Sequence, residues 1–323
     1  MHRGRVRWSF SLAEWLYNHA GPHDDDERCR SWCARNADRW RRAYVRRVGD
    51  RLVRYHRLGV LLPLSHPLSA WEHALPKYGL PMCRIVRALD RPGGLPACID
   101  VGANLGDSVA RLRQVVQAPI LAVEGNDVWF PLLERNVAHH RGVTAVCAFL
   151  SNRETTLPAR IETETSTGRL VPAGDGIPVH LRTLDALLLE HPQFQAARFL
   201  KVDTDGFDLR VLRGAGDLLA RARPVVFFEY DPQLLARLND DPLSIFPWLR
   251  SLGYDRLSVF TNIGEWRCAL TTTNRAELER LTREITPQDR SWFADICAWH
   301  ADDRALADEV DRDGGTCATP GFA

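Results

Sequence analysis

Residues 97–107, ACIDVGANLGD, decide the fold. The run from Ala97 to Val101 is apolar apart from Asp100 and stops at Gly102. Gly106 then leads into DSVARLRQVV (107–116), whose apolar residues recur at helical spacing. A short apolar strand passing through a glycine turn into a helix opens a βαβ unit. Gly102 suits a tight turn and close approach of another backbone. Gly106 lets the chain enter a helix whose free N–H groups favour an anionic group, with Asp107 as its expected N-cap. The turn is G-x-N-x-G and matches the dehydrogenase fingerprint G-x-G-x-x-G poorly.

The same rhythm continues outward from this turn. ILAVEGN (120–126) reads as a second strand, WFPLLERNVAHH (129–140) as a helix and TAVCAFLS (144–151) as a third strand. A polar stretch, 151–176, reads as loops and weak hairpin edges. IPVHLRTLDALLLE (177–190) is a strand entering a helix. ARFLKVDTDG (197–206) is a strand followed by the helical FDLRVLRGAGDLLARA (207–222), and PVVFFEYD (224–231) is another strand. YDRLSVFT (254–261) and EWRCALT (265–271), joined by a short turn, read as an antiparallel pair. Such alternation predicts an α/β fold with a mostly parallel sheet, helices on both faces and an antiparallel last strand. After residue 273 the pattern predicts helices alone: 275–285, 289–300 with Trp292, Phe293, Ile296 and Trp299 on one face, and 303–312.

Before residue 91 the composition differs. Residues 28–57 hold eleven arginines against Asp38 and Asp50, a net charge of +9. Trp40, Tyr44, Val48, Leu52 and Tyr55 recur every three or four residues, which predicts one amphipathic helix. Its basic face reads as solvated, with an anionic membrane or an acidic partner as the alternative. Residues 60–82, punctuated by prolines, read as extended chain and turns before the helix CRIVRALDR (83–91). The expected organisation is therefore an Arg-rich helical extension with a proline-rich approach (1–90), a core (91–272) and an acidic helical extension (273–323). The opposite charges of the two ends suggest mutual contact, or a homodimer through the terminal helices.

The full chain of 323 residues has a net charge of only +1, which argues against a general nucleic-acid binder. Of its eight cysteines, Cys98 and Cys147 lie in apolar runs and read as buried. Cys29 and Cys33 lack a second ligand pair for zinc. No apolar run resembles a signal peptide or approaches the ~20 residues of a membrane span, so the expected location is cytoplasmic.

In an open parallel sheet the ligand lies beyond the carboxyl ends of the strands. Glu124 ends the second strand and is placed to accept both hydroxyls of a ribose, with Asn126 beside it. Ser151, after the third strand, is placed to border an adenine. A glycine loop and this acid support an adenosine-containing cofactor, nicotinamide or S-adenosylmethionine. At the end of the fourth strand stand Lys201, Asp203 and Asp205. Lys201 is one of two lysines among 42 basic residues, the other being Lys77. A lysine offers a compact charge and a tunable pKa that arginine's fixed fork does not. Lys201 and Asp203 are the candidate catalytic pair, the aspartate handling an acceptor and the lysine holding it. Asp203, Asp205 and Glu229 could together supply hard oxygen ligands to a divalent metal. His180 is an alternative base.

IDVGANLGD (99–107), VEGN (123–126) with LLERN (132–136), VHLRTLDALL (179–188), FLKVDTDGFDLRVLRGA (199–215) and RPVVFFEYDP (223–232), in this order, resemble the FkbM family of S-adenosylmethionine-dependent methyltransferases. The approach segment 62–80 is similar as well, so the resemblance spans about residues 60–265. It implies the class I, Rossmann-like methyltransferase fold, with Asp100, Gly102, Asn104 and Gly106 around the methionine and Glu124 on the ribose. It also implies methyl transfer to a hydroxyl of a sugar or natural-product metabolite, a small-molecule acceptor. The family pattern K-x-D-x-E-G-x-E is altered here, both glutamates being aspartates (Asp205 and Asp208), which keeps the charge and shortens the reach by one methylene. A nucleotide-dependent oxidoreductase and a non-catalytic binding or assembly subunit are the alternatives.

Overall fold

The apolar run at 98–101 forms β3 (Cys98–Val101), buried along its whole length at the centre of an eight-stranded sheet. In the computed structural model, residues 14, 17, 18, 39, 41–47, 49–163, 166–285 and 293–316 are described. The sheet order is β13-β12-β14-β11-β10-β3-β4-β5. Its parallel part comprises β3, β4 (Ile120–Glu124), β5 (Val143–Cys147), β10 (Phe199–Val202) and β11 (Val225–Tyr230). The chain builds outward from β3 through β4 to β5, then returns to place β10 on the other side of β3. That reversal opens a crevice at the carboxyl ends of β3 and β10, where open α/β sheets take their ligands.

Helices cover both faces because every central strand is apolar on both sides. On one face Ile99, Val101, Leu200 and Phe228 pack with α5 (Leu184–Glu190), α6 (Asp208–Arg213), α7 (Gly216–Ala222), α8 (Pro232–Arg237), α9 (Ile245–Ser251) and α10 (Arg275–Glu284). On the other, Cys98, Ile120, Phe199 and Trp299 pack with α2 (Leu80–Leu89), α3 (Asp107–Val115), α4 (Phe130–Val137) and α11 (Arg304–Thr316). A second sheet, order β6-β9-β7-β8, is built from β6 (Phe149–Leu150), β7 (Thr155–Thr163), β8 (Gly168–Pro172) and β9 (Ile177–Arg182). The polar stretch read as loops and weak hairpin edges thus forms antiparallel strands of this sheet, and its β7–β8 turn reaches the crevice.

The largest departure from the sequence reading lies after residue 273. Residues 289–300, expected to be helical, contain β14 (Ala294–His300), inserted antiparallel between β11 and β12 (Tyr254–Thr261). The helical spacing of Phe293, Ile296 and Trp299 was real but not diagnostic. A strand buried on both faces is a continuous apolar run, which periodicity cannot separate from a buried helix. Ile296 and Ala298 face one layer while Cys297 and Trp299 face the other. β12 also pairs with the edge strand β13 (Trp266–Thr271), the expected antiparallel pair. The acids of α11 are spent on the core: Asp308 and Asp311 on Arg256, and Glu309 on Arg91.

The N-terminal reading also changes. Residues 41–47 are helical, but Gly49 (φ +90°) ends that run, and Leu52 and Tyr55 lie on β1 (Leu52–Tyr55), paired with β2 (Val60–Pro63). The hairpin buries Val53 and Tyr55 in a small core with Leu62, Leu68 and Trp129. Trp40, Val48, Trp292 and the pair Cys29 and Cys33 lie outside the described residues. The approach segment is not all extended, since α1 (Leu68–Ala74) forms there, and α2 starts at Leu80, earlier than expected. Cys98 is buried, whereas Cys147 is exposed because β5 is the free edge of the sheet. No helix among the described residues is long and apolar enough to cross a membrane.

Candidate active site

A cavity of about 190 Å³ lies over the carboxyl ends of β3, β4 and β10. Its floor at β3 depends on Gly102, which has φ +77° and lies so close to the backbone carbonyl of Asp203 that any Cβ would collide with it. The next turn residue, Asn104, also has a positive φ of 48°. Its N–H donates to Glu124 Oε2 at 2.8 Å, and its Nδ2 donates to the carbonyl of Ser166 at 2.8 Å. Gly106, at φ +91°, takes the N-cap position of α3, so Asp107 is the first helical residue and not the cap.

Glu124 is buried against the cavity. Its second oxygen accepts the N–H of Asn126 at 2.7 Å, and burial raises its pKa against the pull of the two N–H donors. A carboxylate offers about four acceptor positions. Two are used by the backbone, which leaves the others free. The adjoining walls are Phe149 and Leu150 of β6 and Ser166 to Gly168 where the β7–β8 turn enters β8. Asn126 stands behind the wall, fully buried, with its Oδ1 accepting the N–H of Val128. Ser151 does not line the cavity. Its N–H donates to the Arg182 carbonyl, and its hydroxyl turns to Asn152, because β6 has already paired with β9 at that point.

Lys201 sits where two strands bring acids together. Parallel register places it beside Asp100. Its Nζ lies 3.1 Å from Asp100 Oδ1 and 3.3 Å from Asp203 Oδ2, and it donates to the Gly102 carbonyl at 3.4 Å. Asp100 is wholly buried behind the cavity lining and also accepts the Ser108 hydroxyl. Burial acts to lower the lysine pKa, but Asp100 and Asp203 outweigh it and hold the group well above its ordinary value. The two carboxylates thus favour the ammonium form of Lys201. Asp203 presents the more accessible end of the pair, its side chain 48% exposed against 10% for the lysine.

The turn after β10 is held by Asp208, whose carboxylate accepts the N–H groups of Thr204 at 2.8 Å and Gly206 at 2.9 Å. Burial and the nearby Asp203 push Asp208 up to about 6. Asp205, at φ +51° and on the cavity wall, is pushed up to about 7 by burial and by Asp203. Glu229 is buried beneath the lining, and burial raises it well above the carboxylate range. Among the described residues no group of three His, Cys, Asp or Glu side chains is arranged to hold a metal ion, so Asp203, Asp205 and Glu229 do not form the donor set considered from sequence. His180 is exposed on β9, away from the cavity.

The far end of the cavity comes from residues that the sequence reading did not place there. The approach segment crosses above it, with Tyr78 on the wall and the Lys77 carbonyl packed against Gly264 in the β12–β13 turn. Glu72 of α1 anchors this segment. It is buried and ion-paired to Arg111 of α3, it accepts the Tyr55 hydroxyl, and the Arg111 guanidinium lies 5.2 Å over the Tyr78 ring. His66, which also lines the cavity, contacts Ser166 of the β7–β8 turn and is kept neutral by burial, its pKa lowered to about 4. Asn262, Phe293 and Asp295 complete this end.

The sequence pattern of the methyltransferase FkbM domain matches residues 100–256. The solved structure of a methyltransferase FkbM from Methylobacillus flagellatus KT is 16% identical, with 83% of this chain and 60% of that chain covered and a TM-score of 0.39. The chain thus spans less than two thirds of that relative's length. The METTL16 MTase domain is 13% identical over 93% of this chain and 96% of that one, with a TM-score of 0.44. TYW2 of M. jannaschii, solved in complex with AdoMet, is 11% identical over 77% and 84%, with a TM-score of 0.38. No curated protein matches the sequence.

Proposed function

The chain belongs to the FkbM methyltransferases through residues 100–256, and from that premise we propose that it methylates a hydroxyl oxygen of a sugar or natural-product metabolite. S-adenosylmethionine, when bound, supplies an electrophilic methyl group. The observation that carries the reading is the shared cavity: Glu124 and the Gly102 turn stand at one end, and the Lys201–Asp203 pair stands beside them at the carboxyl end of β10. Glu124 holds the ribose. Gly102 and Asn104 form the backbone wall for the methionine, with Asp100 supporting that wall from behind through Lys201. Asp203 faces the gap between cofactor and acceptor, where its carboxylate accepts a hydrogen bond from the acceptor hydroxyl or from the methionine amine. Holding the acceptor in line with the methyl supplies several kcal/mol of the barrier.

Thermal unfolding with S-adenosylmethionine, S-adenosylhomocysteine and NAD, on wild type and Glu124→Ala, tests the reading. Ligand near 100 times its Kd stabilises by about 2.7 kcal/mol. A shift with the two methionine-derived ligands that disappears in Glu124→Ala is the expected result. A shift with NAD alone would move the assignment to hydride transfer, and no shift with any of the three would remove the cofactor site.

A further inference from the structure

Three neighbouring strands carry a row of acids at their cavity ends. Val202 of β10 pairs with Phe228 of β11, so Asp203 lies one step on, abreast of Glu229. Glu229 in turn stands directly opposite Asp295 of β14. Side chains abreast on paired strands share a face, and the three acids therefore point the same way. Their surroundings differ. Asp203 is already paired with the Lys201 ammonium. Glu229 lies under the lining, its Oε2 without a hydrogen-bond partner among the described residues, and burial raises its pKa well above the carboxylate range. Asp295 lines the cavity, yet among the described residues no donor or cation pairs with its carboxylate.

We infer that Asp295 is the proton acceptor of the methyl-transfer step, an inference resting on the reading above that the cavity takes S-adenosylmethionine and a hydroxyl compound. A general base needs a free lone pair at the cavity surface and a rigid mount. Asp295 has both, since β14 is fixed between β11 and β12. The competing acids are placed otherwise. Asp205 feels Asp203 and Asp208 before Arg169 and Glu124 and sits in the turn that Asp208 holds, while Asp107 answers Arg111. Around Asp295 stand Phe227, Phe293 and Phe260, the last directly opposite on β12. Its charged and titratable neighbours are Lys201 and Asp203 of β10, Glu229 of β11 and Tyr78 of the approach segment, with Asp107 and Arg111 of α3 and Asp205 further along the wall. Burial first, then repulsion from Asp203, pushes its carboxyl up to about 8 against the attraction of Lys201. That matches a base working near neutrality, where such catalysis contributes ~10²–10⁴-fold. Asp295 takes the hydroxyl proton as that oxygen's electron pair forms the new bond to the methyl carbon and the carbon–sulfur pair leaves on sulfur. The proton then passes to water.

Proton linkage measures this without a known acceptor. The sulfonium of S-adenosylmethionine brings a positive charge to the cavity that S-adenosylhomocysteine lacks, so it favours the ionised form of Asp295. Calorimetric binding in two buffers of different ionisation enthalpy at pH 7 should show S-adenosylmethionine releasing on the order of half a proton more than S-adenosylhomocysteine. Asp295→Asn, nearly isosteric, should bind both ligands and lose that difference. Asp205→Asn should keep it. An unchanged difference in Asp295→Asn, or its loss only in Asp205→Asn, overturns the assignment while leaving the cofactor reading intact. Failure of the wild type to bind either ligand overturns both.

Discussion

Replacing Lys201 by methionine removes one cation from between two carboxylates with little change in volume. Asp100 is the partner left stranded. It is fully buried, its Oδ2 takes the Ser108 hydroxyl, and its Oδ1 has only the ammonium at 3.1 Å. Asp203 is half exposed and can fall back on water. Breaking a buried pair from one side costs about 3–5 kcal/mol, and this asymmetry assigns nearly all of it to Asp100. At ~2–4 °C per kcal/mol for a chain of more than 150 residues, the Tm should fall by roughly 6–20 °C. Lys201 itself adds no pH dependence between pH 5 and pH 8. Its folded-state pKa is raised, so its stabilisation is complete below the unfolded value and is lost only in alkali. Asp100→Asn in the Lys201→Met background should recover most of the loss, a coupling of about 2–3 kcal/mol. Urea unfolding at pH 5 and pH 8, followed by circular dichroism, reads all three variants. A loss below ~1 kcal/mol would refute the claim that the ammonium sustains Asp100.

Gly102→Ala should cost more than ~1 kcal/mol and weaken S-adenosylhomocysteine binding in calorimetry, since the new Cβ meets the Asp203 carbonyl at a φ of +77°. Wild-type affinity in that variant would show that the β3 turn does not shape the site. Asp295→Asn should be more stable than wild type at pH 8, by on the order of 1–3 kcal/mol. A carboxyl raised from 3.8 to about 8 favours the fold below the lower value, and that stabilisation drains away as the pH climbs through the higher one. Equal urea midpoints at pH 5 and pH 8 for the two proteins would contradict this. Glu72→Gln should remove the ion-pair partner of the buried Arg111 and leave it only the more distant Asp107, costing about 3 kcal/mol. It should also expose the 68–82 segment to limited proteolysis before the core, and uniform resistance would show that Glu72 does not anchor it.

The parallel half of the sheet was legible because all of its strands except β5 are followed directly by a helix, and local pattern alone sets that rhythm. The position of Glu124, Gly102 and Asn104 on the cavity wall was legible for the same reason, as they sit where strand gives way to turn. What sequence could not supply was pairing across distance. Asp100 read as a ligand of the cofactor, but register with a strand 101 residues away makes it first a ligand of Lys201. Ser151 was placed by counting from the third strand, and the chain had already left the main sheet for the smaller one. Asp295 had no local signal at all. Its strand is apolar on both faces and joins the sheet antiparallel, 65 residues after Glu229, so only the assembled sheet shows that the two acids stand opposite.

That assembled sheet also accounts for a lysine in a chain that otherwise uses arginine. The site offers three oxygens converging on one point: Asp100 Oδ1, Asp203 Oδ2 and the Gly102 carbonyl, at 3.1, 3.3 and 3.4 Å. An ammonium has three donors on a single atom and matches such a point. A guanidinium spreads five donors over a plane, and in this buried place it would leave some without acceptors while pushing into the Gly102 turn. The contrast is visible a few residues away. Arg111, where a planar fork has room, pairs with Glu72 and lies over Tyr78. Lys201→Arg should therefore lose stability and cofactor affinity together despite keeping the charge, whereas Arg111→Lys should loosen the approach segment and leave S-adenosylhomocysteine binding close to wild type. Equal behaviour of the two exchanges in calorimetry and proteolysis would mean that charge alone, and not donor geometry, selects the base at position 201.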